Sequence, residues 1–207
     1  MVYPAELNPN PSILLLAIGG VVGTILLSSL IYLAPVLGLP SIDVPLLVGG
    51  IFTTFQPAAF WIGFAVFFFV GVFIFAPALT LAWVFMPGRG VGLSGALLKG
   101  LLWGGGLWLL GGLMLPLFAL LNRVEGVEDP GFFAIRLGLL GAGGFLAGHL
   151  LYGVVIALTT ATSHGIMPME TIGWHGHGRG NARQIGIEPH PRPGHDAPGE
   201  KPKAVRS

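Results

Sequence analysis

Residues 12–34, SILLLAIGGVVGTILLSSLIYLA, form a long apolar stretch that contains no charged side chain. A helix needs about 20 apolar residues to cross the roughly 30 Å hydrocarbon core of a bilayer. Three further stretches meet this requirement, at about residues 58–85, 97–121 and 133–160, with Lys99 and Arg136 as their only charged side chains. Membrane-spanning strands would alternate apolar and polar residues, which these stretches do not. We therefore predict an all-α integral membrane protein with four transmembrane helices.

The composition of the 207-residue chain agrees with this prediction and narrows the classes of function. It is 53% hydrophobic and 9% charged, whereas a soluble domain carries about 25% charged residues. A net charge of +1 provides no phosphate-binding face, which argues against a nucleic-acid partner. The absence of Cys excludes disulfides, thiol catalysis and Cys-ligated metals. We expect most of the chain to lie in the lipid bilayer.

The sequence divides into a transmembrane domain, residues 1–162, and a polar tail, residues 163–207. The tail is rich in Gly, Pro, His and charged residues. Such a composition cannot bury a core, so we predict an irregular tail. Between the first two spans, residues 35–57 contain several prolines and Asp43. They fit either a loop or a short interfacial or re-entrant segment.

Basic residues predict the orientation, because Lys and Arg favour the cytoplasmic side. Arg89 lies between the second and third spans, and Lys99 is close by. The tail holds six more basic residues: Arg179, Arg183, Arg192, Lys201, Lys203 and Arg206. With four spans, that loop and both termini share one side. We predict a multi-pass protein of a prokaryotic cytoplasmic (inner) membrane, with both termini in the cytoplasm.

Glycines at four-residue spacing predict helix contacts, because helices in lipid associate by close packing through small residues. Three such pairs lie in the first, third and fourth spans: Gly19 and Gly23, Gly100 and Gly104, Gly144 and Gly148. The alternative is that such a stripe makes room for a ligand or a lipid.

A short internal similarity predicts a repeat. Residues 67–74, FFFVGVFI, resemble residues 149–156, HLLYGVVI, and each lies in the second helix of a hairpin. This pattern indicates two helix hairpins repeated in the same orientation. His149 then corresponds to Phe67 in the other half.

His149 is the one ionisable side chain well inside a predicted span, and such groups are functional candidates by default. One hypothesis is that it is a cofactor ligand, for example to a haem iron. The alternative is a neutral histidine hydrogen-bonded to a neighbouring helix or subunit. In the tail, His175 and His177 could bind a metal ion, although their spacing matches no defined metal site. The sequence predicts no cofactor, with a haem or a metal ion as the alternative.

Three stretches, GGVVGT at 19–24, APVLGLPSIDVP at 34–45 and GHLLYG at 148–153, together resemble an uncharacterised family of small four-helix prokaryotic membrane proteins. Members of that family are often encoded near respiratory oxidase components, so the resemblance implies an accessory role. The family pattern also has a histidine in the second helix. This chain has Phe67 there, so the resemblance does not carry over a metal or haem role for a His pair.

These observations favour a non-catalytic accessory or assembly subunit of a larger membrane complex, namely a respiratory electron-transfer complex. Its expected partners are other subunits of that complex. The first alternative is a small transporter or channel that works as an oligomer, although the spans contain few groups for ion coupling. The second alternative is a haem or metal carrier that uses His149 or the tail histidines.

Overall fold

The computed structural model of the chain describes residues 12–87 and 92–164. These two stretches are helical and contain no strand. Four helical units are long and apolar enough to cross a membrane: Ile13–Val36, Gln56–Ala82, Leu93–Leu121 and Phe132–Ser163. The predicted all-α membrane fold with four transmembrane helices is therefore confirmed.

The helical units contain shorter elements. The helices are α1 (Ile13–Val36), α2 (Val44–Gly49), α3 (Gln56–Phe69), α4 (Ala76–Ala82), α5 (Leu93–Leu121) and α6 (Gly138–Ser163). A π-helical segment, Val70–Phe75, joins α3 to α4, and a short helical turn, Phe132–Leu137, precedes α6. The π-helical segment lies directly before Pro77. Because proline lacks an amide hydrogen, the hydrogen-bond ladder must adjust at that point.

Helix α6 packs against both α1 and α5. On its α1 side, a Cβ at Gly19 would lie 2.0 Å from Oγ1 of Thr159, and a Cβ at Gly148 would lie 2.6 Å from Cδ1 of Leu27. An early residue of α1 thus meets a late residue of α6, so the two helices are antiparallel. Since α6 also contacts α4, it has neighbours from both hairpins.

The chain between the first two spans forms the short helix α2. The Oδ1 atom of Asp43 accepts a hydrogen bond of 2.9 Å from the amide of Leu46, and Pro45 lies in the first turn. An acidic N-cap followed by an early proline is a typical helix start. Helix α2 packs on α3, where a Cβ at Gly49 would lie 1.7 Å from the carbonyl oxygen of Ala59. Of the two alternatives from the sequence, the structure therefore has a short helical segment.

The third span begins four residues earlier than predicted and includes Lys99. This lysine is only 8% exposed. Its Nζ atom donates a hydrogen bond of 2.9 Å to the carbonyl oxygen of Trp83 and lies 4.4 Å from the centre of the Trp83 ring. The amine thereby joins the start of α5 to the residue that follows α4. The helix tolerates the charge because the amine has a polar partner and an aromatic face.

The outer surface of the helices is apolar. Phe85 is 86% exposed and Leu139 is 92% exposed, and many other large apolar side chains face outward. In water such a surface would be a site of association. On helices of this length and hydropathy it is the surface that contacts lipid tails.

Candidate functional site

An apolar cavity of about 470 Å³ lies among α1, the π-helical segment, α5 and α6. Residues 39–42, before α2, border one end of it. Its walls are mainly aliphatic and aromatic, and include Leu27, Phe67, Leu107 and Phe145. Ligand sites in proteins typically have volumes of 300–1,000 Å³ and apolar walls with a few polar groups. The cavity has both features.

His149 is one of the polar side chains in the wall. It stands near the middle of α6, and its Nδ1 atom lies 2.8 Å from the carbonyl oxygen of Phe145, one turn earlier. The ring packs edge-on against the Phe145 ring, with 4.4 Å between the ring centres. A Cβ at Gly111 would lie 3.4 Å from Nε2, so the glycine on α5 leaves room for the imidazole.

Thr24 and Tyr152 also line the cavity. The Tyr152 hydroxyl donates a hydrogen bond to the carbonyl oxygen of Gly71, in the π-helical segment. Thr24 is 1% exposed, and its Oγ1 atom has no hydrogen-bond partner among the described residues. Thr24 and His149 lie near the middle of their helices, so these polar groups lie at mid-membrane depth.

The cavity is continuous with the lipid-facing surface. Leu30, Leu33 and Leu37 of α1 line it, yet their side chains are 42%, 56% and 73% exposed. Leu110 of α5 also lines it and is 50% exposed. A molecule dissolved in the bilayer therefore has an apolar route to the polar atoms without passing through water.

The glycines that the sequence singled out have different surroundings. Gly19, Gly23, Gly100, Gly104 and Gly148 lie against other helices, where an added Cβ would come within 3 Å of a neighbour. At Gly144 an added Cβ would meet nothing within 4 Å, and this glycine lines the cavity. The surroundings of Gly144 therefore fit the alternative from the sequence, in which a small residue leaves room for a ligand.

The two sequence-similar segments occupy related places. Phe67 and His149, which correspond in the repeat, line the same cavity. Their glycines also correspond, since a Cβ at Gly71 would meet Thr24 of α1 and a Cβ at Gly153 would meet Gly100 of α5. In each hairpin the glycine of the second long helix therefore packs on the first long helix.

Within the two described stretches, no group of three or more His, Asp or Glu side chains could hold a metal ion. His149 stands as a single histidine in an apolar wall. His175 and His177 lie outside the described residues.

Sequence reasoning identified His149 but not Thr24 and Tyr152 as residues of the site. Both were visible as polar residues within apolar spans, at positions in the motifs GGVVGT and GHLLYG. A hydroxyl in a helix usually bonds to a carbonyl one turn earlier, as Thr160 does to Ile156 at 2.7 Å. The sequence could not distinguish residues with such hydroxyls from residues that line a cavity.

No protein-family model, no curated protein and no solved structure matches this chain. The resemblance to small four-helix prokaryotic membrane proteins therefore stays a prediction.

Proposed function

We propose that the protein is a non-catalytic accessory subunit of a larger membrane complex, and that it holds a long-chain, membrane-dissolved molecule in its lateral cavity. The observation that carries this proposal is the cavity itself, about 470 Å³ in volume, with apolar walls that reach the lipid-facing surface. The respiratory nature of the complex rests on the sequence resemblance alone.

Most polar side chains of the spans bond within the chain, which supports a role in packing. Lys99, Tyr152, Thr160 and Ser163 each donate to a carbonyl oxygen of the chain itself. These bonds stabilise the helix bundle.

Two adjacent glycines provide a matched test. A Cβ at either Gly143 or Gly144 would meet open space, but only Gly144 lines the cavity. Gly144→Leu should fill the cavity without displacing the chain, whereas Gly143→Leu should add the same side chain outside it. The proteins would be extracted gently from native membranes, and both the bound lipids and the co-migrating proteins would be identified by mass spectrometry.

The proposal predicts that wild type and Gly143→Leu retain a bound long-chain molecule that Gly144→Leu loses. It also predicts that wild type migrates with other membrane proteins. Equal lipid content in all three proteins would contradict the binding role. Recovery of wild type only as a free homo-oligomer would contradict the accessory role.

A second candidate function, a haem carrier, is favoured by one observation. The Nδ1 atom of His149 has a backbone partner, and no described residue bonds to its Nε2 atom, which is the usual iron-binding position of such a histidine. An absorption spectrum of the natively extracted protein tests this function. A Soret band that His149→Phe abolishes would support it, and the absence of a Soret band in wild type would contradict it.

A further inference from the structure

We propose that the occupant of the cavity is a neutral long-chain molecule with a hydroxyl group, and that this hydroxyl donates a hydrogen bond to Nε2 of His149. This inference rests on the proposed binding function and adds the chemical class of the ligand. It is argued from the protonation of the histidine and from the apolar walls.

The hydrogen bond at Nδ1 determines which ring nitrogen of His149 carries the proton. A carbonyl oxygen can only accept, so the 2.8 Å contact with the Phe145 carbonyl requires hydrogen on Nδ1. An imidazolium would need compensation that these apolar walls do not supply. In the neutral ring, Nε2 is then an acceptor. The complementary group on a ligand is a hydrogen-bond donor, and a ketone or an ether would find no partner at this nitrogen.

A hydroxyl group is the donor that suits these surroundings best. It brings one polar oxygen into the cavity, whereas an amide brings both an N–H and a carbonyl oxygen, and the walls are mainly aliphatic and aromatic. The hydroxyl of Thr24 takes no part, because its oxygen is buried against Gly71 and is not accessible from the cavity.

The remaining walls determine the rest of the ligand. They are aliphatic and aromatic from mid-membrane depth to the residues that precede α2. Burial of a charged headgroup among them would be costly, whereas an alkyl or prenyl chain is stabilised by every apolar contact. The exposed leucines along the edge of the cavity, such as Leu33, give the chain a path from the bilayer.

The test compares two probes that differ at one position, where one has a hydroxyl hydrogen and the other has a methyl group. Hexadecanol and hexadecyl methyl ether share the chain and the oxygen, but the ether lacks the hydroxyl hydrogen. Equilibrium binding of each radiolabelled probe would be measured on the full chain in lipid nanodiscs. We expect wild type to prefer the alcohol by roughly tenfold, because the ether leaves a buried acceptor unpaired.

Two variants test the assignment to His149. His149→Phe should bind both probes with equal affinity, since it keeps an aromatic ring and loses the acceptor. Phe67→Leu alters the same cavity without touching a polar atom, so it should keep the preference for the alcohol. Persistence of the preference in His149→Phe would overturn the assignment.

A spectroscopic measurement on wild type tests the hydrogen bond to His149 without relying on variants that must fold. With ¹⁵N-labelled histidine, the signal of an unprotonated Nε2 should shift when hexadecanol is added and stay in place when the ether is added. An unchanged signal with bound alcohol would overturn the inference.

If wild type binds both probes equally, the inference fails while the proposed binding function stands. If neither probe binds saturably, the proposed binding function fails as well.

Discussion

The hydroxyl of Tyr152 on α6 donates a hydrogen bond to the carbonyl oxygen of Gly71 in the π-helical segment. This bond joins helices of the two hairpins beside the inner end of the cavity. The Tyr152 ring also fills the space beside Gly23, where an added Cβ would lie 2.9 Å from the ring. One side chain thus connects α6, the second span and α1 at the depth where the polar groups lie.

Loss of this bond should destabilise the bundle measurably. We expect Tyr152→Phe to lower the free energy of unfolding by about 1 kcal/mol, since that is the typical value of one buried hydrogen bond. The control is Tyr32→Phe, because the Tyr32 hydroxyl bonds to Asp43 at an exposed position. Unfolding in mixed micelles would give both values. An equal or larger loss for Tyr32→Phe would contradict the connecting role of Tyr152.

The contact between α5 and α6 depends on the lack of a side chain at Gly104. A Cβ there would lie 2.4 Å from the carbonyl oxygen of His149, whereas a Cβ at Gly106 would meet nothing within 4 Å. We expect Gly104→Ala to destabilise the protein by about 2 kcal/mol through overpacking. Gly106→Ala should be neutral or stabilising by up to about 1 kcal/mol. The midpoint of thermal unfolding in detergent measures both, and equal midpoints would refute the predicted helix contact.

The buried amine of Lys99 stabilises the junction between α4 and α5. Lys99→Met keeps most of the apolar stem and removes the bond to the Trp83 carbonyl and the contact with the ring. We expect a loss of about 2 kcal/mol, mostly from the charged hydrogen bond. Leu98→Met, at the exposed neighbouring position, should change the stability little. Equal stability of both variants and wild type would contradict a stabilising role of the Lys99 amine at this junction.

Asn122 holds α2 against the end of α5. Its Nδ2 atom donates to the carbonyl oxygens of Leu46 and Leu47 at 3.1 and 2.8 Å. We expect Asn122→Ala to speed amide hydrogen exchange in α2 by about tenfold, since the helix loses both tethers. Thr53→Ala is the control, because the Thr53 hydroxyl bonds only to the Phe55 amide. Unchanged exchange in Asn122→Ala would show that α2 is held by other contacts.

Much of the fold could be predicted from the sequence, because each span is a long apolar run. The helix α5 begins four residues before the predicted start, because Ser94 and Gly95 make this first turn less apolar than the rest of the span. The bond from the Lys99 amine to the Trp83 carbonyl could not be predicted, because Trp83 lies 16 residues earlier in the chain. Asp43 followed by Pro45 is a pattern that indicates the start of α2. For the π-helical segment, the only indication in the sequence was Pro77.

The cavity could not be predicted in the same way. It is a space between helices, and its existence depends on how four helices pack rather than on any one of them. His149 was a candidate because a histidine is rare in a span. Only the structure shows that Thr24 lines the same cavity.

The most direct test of the central claim is to locate a bound alcohol by photolabelling. A long-chain alcohol with a diazirine in its chain would be irradiated with the protein in nanodiscs, and the labelled peptides would be identified by mass spectrometry. We expect labelling of cavity-lining residues such as Leu110 and Met114, and we expect excess hexadecanol to suppress it. The opposite result would be labelling of exposed residues remote from the cavity, such as Phe85 and Leu139, that excess hexadecanol does not reduce. This result would contradict binding of the alcohol in the cavity.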